Sequence, residues 1–562
     1  MSRPAVLTAS AAPARRRMLA GNGRPLWSAL VLLVAALVAT PVVAVLVDGI
    51  GTLGSGTVPR DLGAMVLTTV LLMVGVGAGT LLVGGGLAWL VTAYTFPLRN
   101  VLSWALVLPL AMPAYILGFV FLSTFDVGGP VQALLRSVFG PGAWLPEVRS
   151  LPGAILVMSL TLYPYVYLLA RTAFSEQGAA TYDAARTLGA SRGRTLWRVL
   201  APLARPSLAA ALALVMMETL TDFATVQYFN VQTVSVGVYL VWKGSFDFHA
   251  ATQLSVLVLL FAVAVLAAER LFRGRSRFHQ KAGRGEGLQP RKLSGWAGWA
   301  AMLAGVAVLS AGFLLPLARL AAWAVGEAVS SAAGPMLDPR FQGYLLNSMV
   351  VAAIAALACA ALALAIGHSV RLGGGRVVVS AAQATTFGYA VPGAVIGIGV
   401  LIAFAKLDEL VEAAGVPGGT GLLVTGSVAG ILAAYVVRFL GPAYQAVDAS
   451  FAKISPALTA SALSLGATPG RLLARIHLPL ARRGAAVAAA LVAIDAVKEL
   501  PIVLLLRPFG FTTVSVWVYE LARENFWEKA ALPALGIVAV AIIPVYFLFR
   551  RTAGLRTGAG AS

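Results

Sequence analysis

The sequence predicts an all-α polytopic membrane protein of about twelve transmembrane helices, arranged as a tandem parallel repeat of six and six. Three observations predict it. The 562 residues are 59% hydrophobic and only 11% charged, with a mean hydropathy of +0.86, whereas soluble domains run near a quarter charged. Apolar runs of about 20 residues, the length that crosses a hydrocarbon core of roughly 30 Å, recur along the whole chain. Finally, TLGASRGRTLWRVLAPLARP at 187–206 and SLGATPGRLLARIHLPLARR at 464–483 share one pattern without a gap.

Residues 1–26 read as a basic tail with Arg3, Arg15, Arg16, Arg17 and Arg24. The apolar run behind it is too long for a signal-peptide core, so it reads as an uncleaved anchor. The first half, 27–272, carries apolar runs centred near residues 36, 79, 112, 162, 217 and 260. Residues 273–293 are basic and glycine-rich and read as a flexible linker. The second half, 294–550, carries runs near 308, 356, 391, 430, 495 and 540, and 551–562 form a second tail. An even number of spans puts both termini on one side. With that side cytoplasmic, most of the 42 Lys and Arg fall there, as the positive-inside rule requires. The formal charge of +20 is then loop charge beside a lipid bilayer and calls for no nucleic-acid partner.

The halves match beyond the basic loops. TVSVGVY at 233–239 recurs as TVSVWVY at 513–519, and MPAYILG at 112–118 is similar to VPGAVIG at 391–397. Six spans per half give both copies the same orientation, so the repeat is parallel. The G-x-x-x-G pairs Gly75/Gly79 and Gly393/Gly397 predict close helix packing. Cys359 is the one cysteine, which excludes a disulfide within the chain. His249, His279, His368 and His477 lack metal-ligand spacing, so the sequence fixes no metal site and no cofactor of the chain's own.

Each basic loop encodes helix, sharp turn, helix. In the first, a short helix from about Thr181 stops at Gly189, Ser191 caps a second helix, and Pro202 closes that helix off near Leu200. In the second, Gly466 takes the stop, Thr468 the N-cap, and Pro469 the first helical position, where a missing N–H costs nothing. Apolar residues Leu196, Trp197, Val199 and Leu200 alongside Arg194, Arg198 and Arg205 make a surface suited to a partner's groove.

Carboxylates sit inside two of the runs. METLTDF holds Glu218 and Asp222, and IDAVKEL holds Asp495 and Glu499, each pair spaced i, i+4 and therefore on one helix face. An intramembrane charge costs roughly 2.5–3.5 kcal/mol or more, so it faces a cavity or a partner. The four are candidates for a cation path. The alternative is structural: pairing with Lys498, or capping of broken helices near Pro501.

The two loops resemble that of ABC-transporter permeases, with the pattern E-A-A, three residues, G, nine residues, I-x-L-P. Here the first copy reads Asp183, Ala184, Ala185, Gly189, Val199, Ala201, Pro202 and the second Ala460, Ser461, Ala462, Gly466, Ile476, Leu478, Pro479. Asp183 and Ala460 stand where the family has Glu, and Ala201 where it has Leu. The resemblance implies a type I ABC importer permease fold in a bacterial cell membrane, with the loops seated in the clefts of two copies of an ABC ATPase subunit. The chain has no G-x-x-x-x-G-K-[ST] segment, so ATP and Mg belong to that separate subunit, and this chain is a transport subunit, not an enzyme.

Three stretches, LTDFATVQYFNVQTVSVGVY at 220–239, KELPIVLLLRPFGFTTVSVWVYE at 498–520 and AALPAL at 530–535, look most like ferric-iron transport permeases. That resemblance implies an extracytoplasmic binding protein that delivers iron(III). Thiamine, polyamine and phosphonate importers share the architecture. An ion-coupled secondary transporter is the alternative of a different class: it reuses the carboxylates but gives the duplicated loops no role. The outside loops carry Asp408, Glu409, Glu412, Glu520, Glu524 and Glu528, which suit a basic rim on a docking protein.

Overall fold

The computed structural model describes residues 24–52, 59–143, 145–176, 185, 187–244, 247–273, 290–330, 338–417, 420 and 426–557. Among these, nine helices are long and apolar enough to cross a membrane, and the broken pair Gly375–Ala390 and Gly393–Ala413 makes a tenth. The runs near 495 and 540 coincide with helices Leu478–Lys498 and Trp527–Thr557. The first of these carries Arg482, Arg483, Asp495 and Lys498, so it has no membrane-length stretch as poor in charge as those of the nine. Large apolar side chains point outward along the bundle, as Leu67, Leu71 and Val74 do on Leu62–Thr80, an arrangement that hydrocarbon rewards and water does not. The only strand pairing among the described residues is two residues long: Tyr94–Thr95 runs parallel to Arg291–Lys292.

The runs expected to be centred at 112 and 391 turn out to be breaks. Pro113 (φ −55°, ψ 141°) and Pro392 (φ −56°, ψ 140°) stand at the N-termini of helices Ala114–Phe125 and Gly393–Ala413 in matching extended geometry. The physical reason lies in the X-Pro bond: the residue before proline is pushed out of the helical region, and Met112 is extended at φ −97°, ψ 106°. Short helices Leu108–Ala111 and Phe387–Ala390 precede the two breaks.

The glycine pairs pack as expected. A Cβ on Gly75 or Gly79 would collide with the side chains of Ile155 and Ser159 on helix Leu151–Glu176, so the absence of a side chain lets the two helices pack closely there. Gly393 and Gly397 lie in the same way against Glu499, Ile502 and Leu505.

Two compact units emerge. One comprises Met1–Ala39, Ala356–Tyr389 and Phe439–Val492; the other comprises Thr40–Ala355, Ala390–Arg438 and Ala493–Ser562. Within the first, Trp27 at the start of helix Arg24–Gly51 packs edge-on against His368 (ring centroids 4.7 Å apart) and joins the apolar cluster of Leu372, Ala462 and Leu472. Within the second, helix Trp296–Leu309 lies on first-half residues, with Gly298 against Pro97 and Gly305 against Leu102. The first helix of each half therefore packs on the other half.

Candidate coupling loops and intramembrane charge cluster

In the first loop, Gly189 holds φ +81° and the N–H of Ala190 reaches back to the carbonyl of Ala185 at 3.0 Å. That six-to-one bond closes a helix end around a left-handed residue, a conformation glycine adopts without penalty. Ser191 then accepts the N–H of Arg194 at 3.3 Å and caps helix Arg192–Thr195. Asp183 and Ala184 lie outside the described residues.

The second loop repeats the plan. Ser455 caps helix Pro456–Ser464, Gly466 holds φ +84°, and Ala467 donates to Ala462 at 3.0 Å. Thr468 accepts the N–H of Arg471 at 3.3 Å, with Pro469 at the first helical position. Ala462 is buried in the Leu372–Leu472 cluster, whereas Ala460 and Ser461 are exposed.

One expectation fails: Pro202 does not end its helix. The chain passes through a π-helical turn, Leu196–Leu200, straight into helix Ala201–Thr221. The second copy does the same through Leu473–His477 into Leu478–Lys498, with Pro479 at the second position. A proline deprives the carbonyl four residues earlier of its donor; a π turn directly before it shifts bonding to wider spacing, so the helix continues.

Sequence reasoning missed two side chains. Leu188 is 87% exposed and Leu465 88%, each immediately before its turn glycine. A bare leucine stands at the same place in both loops, and the repeated Leu-Gly dipeptide was the available signal. Sequence reasoning also read the histidines as scattered. His368 and His477, 109 residues apart, meet through their Nδ1 atoms at 2.7 Å, and the Nε2 of His477 contacts the Thr459 hydroxyl at 3.0 Å. Such a pair needs one N–H and one lone pair, so the two rings cannot both be protonated. Arg371 donates to the carbonyl of Phe451, which also packs on His477. Among the described residues no group of three His, Cys, Asp or Glu is placed to hold a metal ion.

The four intramembrane carboxylates are brought together. Glu218 lies within electrostatic reach of Asp222, Lys498 and Glu499. Three carry structural duties in this conformation. Asp222, at the end of Ala201–Thr221, accepts the Thr225 N–H at 2.9 Å and its hydroxyl at 2.5 Å, and so caps helix Ala224–Tyr228. Glu499 accepts the Ile502 N–H at 3.4 Å, capping Pro501–Leu506, and pairs with Arg438 at 3.3 Å with both side chains under 8% exposed. Asp495 pairs with Lys498 at 2.8 Å.

The repeated TVSV motifs explain how the chain tolerates these breaks. Ser235 donates to the orphaned carbonyl of Leu220 at 2.6 Å, and Ser515 to that of Glu499 at 2.8 Å. The N–H groups of Val234 and Val514 are accepted by Thr69 at 3.0 Å and Ser348 at 2.8 Å. Backbone groups freed inside an apolar medium are thus satisfied by hydroxyls at matching positions of the two halves. Of the carboxylates expected in the outside loops, Glu520 is held by Arg507 at 2.6 Å and Glu409 by Lys406 at 2.8 Å.

Residues 80–277 match the family model of the binding-protein-dependent transport system inner membrane component. The chain is 25% identical over 496 residues to the Fe(3+)-transport system permease protein FbpB 2 of Haemophilus influenzae, covering 87% of this chain and 90% of that one. It is 27% identical over 191 residues to the sulfate transport system permease protein CysT of Escherichia coli, covering 32% of this chain and 65% of that one. The molybdenum transport system permease protein ModB of Escherichia coli is 26% identical over 193 residues, covering 33% and 82%.

Proposed function

We propose, from the match of residues 80–277 to the family model of the binding-protein-dependent transport system inner membrane component, that this chain is a two-half permease of an ATP-driven importer. The observation that carries the proposal is the pair of loops. Each is capped, turned at a left-handed glycine and tipped by an exposed leucine. A dimer of ATPases offers two clefts, so two such loops on one chain serve one dimer. ATP hydrolysis belongs to that partner, and both termini face it in the cytoplasm.

The cargo we assign is ferric iron, delivered by an extracytoplasmic binding protein. The support is extent: the ferric permease aligns with both halves, while the sulfate and molybdenum permeases each align with about 190 residues. The charge cluster supports a cation as well, since Glu218, Asp222, Asp495 and Glu499 exceed Arg438 and Lys498 in number. We place the cargo's route beside Glu218 and Asp222. Asparagine caps a helix nearly as well as aspartate. Asp222→Asn is therefore expected to leave the chain folded and inserted while lowering labelled-iron uptake at least tenfold; unchanged uptake would remove Asp222 from the route.

A further inference from the structure

At the end of the bundle opposite residues 187–200, segments that follow helices Ala201–Thr221 and Leu478–Lys498 line a cavity of about 270 Å³. Its polar lining is Arg149, Gln227, Asn230, Gln232, Arg523 and Asn525, with Tyr228 and Trp527 among the remaining walls. No Asp or Glu lines it among the described residues. Arg149 is oriented from behind, its Nε on Asp126 at 2.9 Å. Gln227 is fixed by the Tyr519 hydroxyl, which donates to its Oε1 at 2.5 Å. Tyr228 in turn donates to the carbonyl of Tyr519 at 3.1 Å, so the two halves are bonded together beneath the cavity.

The backbone adds a second, independent observation. Only three non-glycine residues among those described have left-handed φ, and two of them, Asn230 (φ 56°) and Asn525 (φ 63°), line this cavity. Both close helix ends, with Val231 donating to Val226 and Phe526 to Leu521 at 2.9 Å. Glycine fills such positions without strain. Asparagine in both places brings a carboxamide to the cavity wall from each half.

We propose that this cavity binds a carboxylate or oxyanion group. Guanidinium forks recognise planar or tetrahedral anions through paired N–H donors, and carboxamides supply further donors. A bare cation finds no acceptor carboxylate here, whereas the Glu218–Glu499 cluster deeper in the bundle repels an anion. The mouth therefore receives the anionic partner of what is imported, and the interior receives the cation. The proposal rests on the importer reading for which side this end faces and for where the anion comes from; the cavity's donor lining stands without it. Two sources supply the chemistry: a free anion that accompanies the metal, or an acidic side chain of the delivering protein.

The test uses the full chain in its complex with the ATPase, in nanodiscs, with citrate and inorganic phosphate as probes against chloride at equal ionic strength. The variants are R523Q and R149Q; R523Q leaves the Arg149–Asp126 pair intact. Saturable binding of citrate or phosphate to the wild type, weakened about tenfold or more in R523Q, supports the site with a free anion as its ligand. Absence of free-anion binding together with about tenfold weaker docking of the binding protein to R523Q and R149Q supports it with a protein carboxylate as its ligand. Unchanged anion binding and unchanged docking in both variants overturn it. Co-purification of the ATPase is independent of all three results, so its failure would count against the importer reading and not against the cavity.

Discussion

Arg438 shows what a single side chain does in this bundle. It stands on helix Val428–Phe451, donates to the carbonyl of Val391 at 3.1 Å and faces Glu499 at 3.3 Å. One guanidinium thereby holds both the break before Pro392 and the break before Pro501. Removing one partner of a buried pair leaves the other charge uncompensated, at a cost of about 3–5 kcal/mol. Glu499→Gln is therefore expected to lower the thermal midpoint of the purified chain markedly; a midpoint within a degree of wild type would show that the pair holds nothing. Asp222→Ala is expected to cost about 1 kcal/mol through the lost cap, and Asp222→Asn much less, by the same measurement. The carboxylates were legible in the sequence because the repeat sets them in register, and so were the two structural roles, pairing with Lys498 and capping near Pro501. Arg438 was not legible: the first-half positions 277 to 279 residues earlier, Thr161, Leu160 and Ser159, carry no charge, so no duplicated signal marked it.

At the scale of elements, the two basic loops were the most legible part of the chain. Glycine at a left-handed turn, Ser191 and Thr468 as caps, and Pro469 at a helix start are local devices whose chemistry acts within a few residues. The π turns before Pro202 and Pro479 were not legible, because continuation of the helix depends on how each segment joins the long helix behind it. Gly466→Ala is expected to destabilise the second loop by about 1–2 kcal/mol, the cost of an L-residue in the left-handed region, read as faster amide exchange over residues 456–477. Slower or equal exchange would contradict the turn assignment. Leu188→Asp and Leu465→Asp leave the chain's own packing untouched, since both side chains project into solvent. Each is expected to cut binding-protein-stimulated ATP hydrolysis at least tenfold with normal membrane insertion; full stimulation in both would remove the leucines from the interface.

At the scale of the molecule, duplication gave two sets of hydrogen bonds at matching positions, Thr69 with Val234 and Ser348 with Val514 among them. Nine membrane-length helices and one broken pair among the described residues compare with the expected twelve spans. The tandem repeat was legible in the sequence. The exchange of first helices was not: Trp27 beside His368 and Gly305 against Leu102 are contacts between distant segments, and apolar periodicity says nothing about which partner a lipid-facing helix chooses. The measurement that bears most directly on the whole is labelled ferric-iron uptake into vesicles that hold the chain, its ATPase and the binding protein, with the membrane potential clamped at zero. The expected result is uptake that requires ATP and both partners and is lost in Leu188→Asp and in Leu465→Asp. Uptake that proceeds without the ATPase and follows an imposed potential would contradict it.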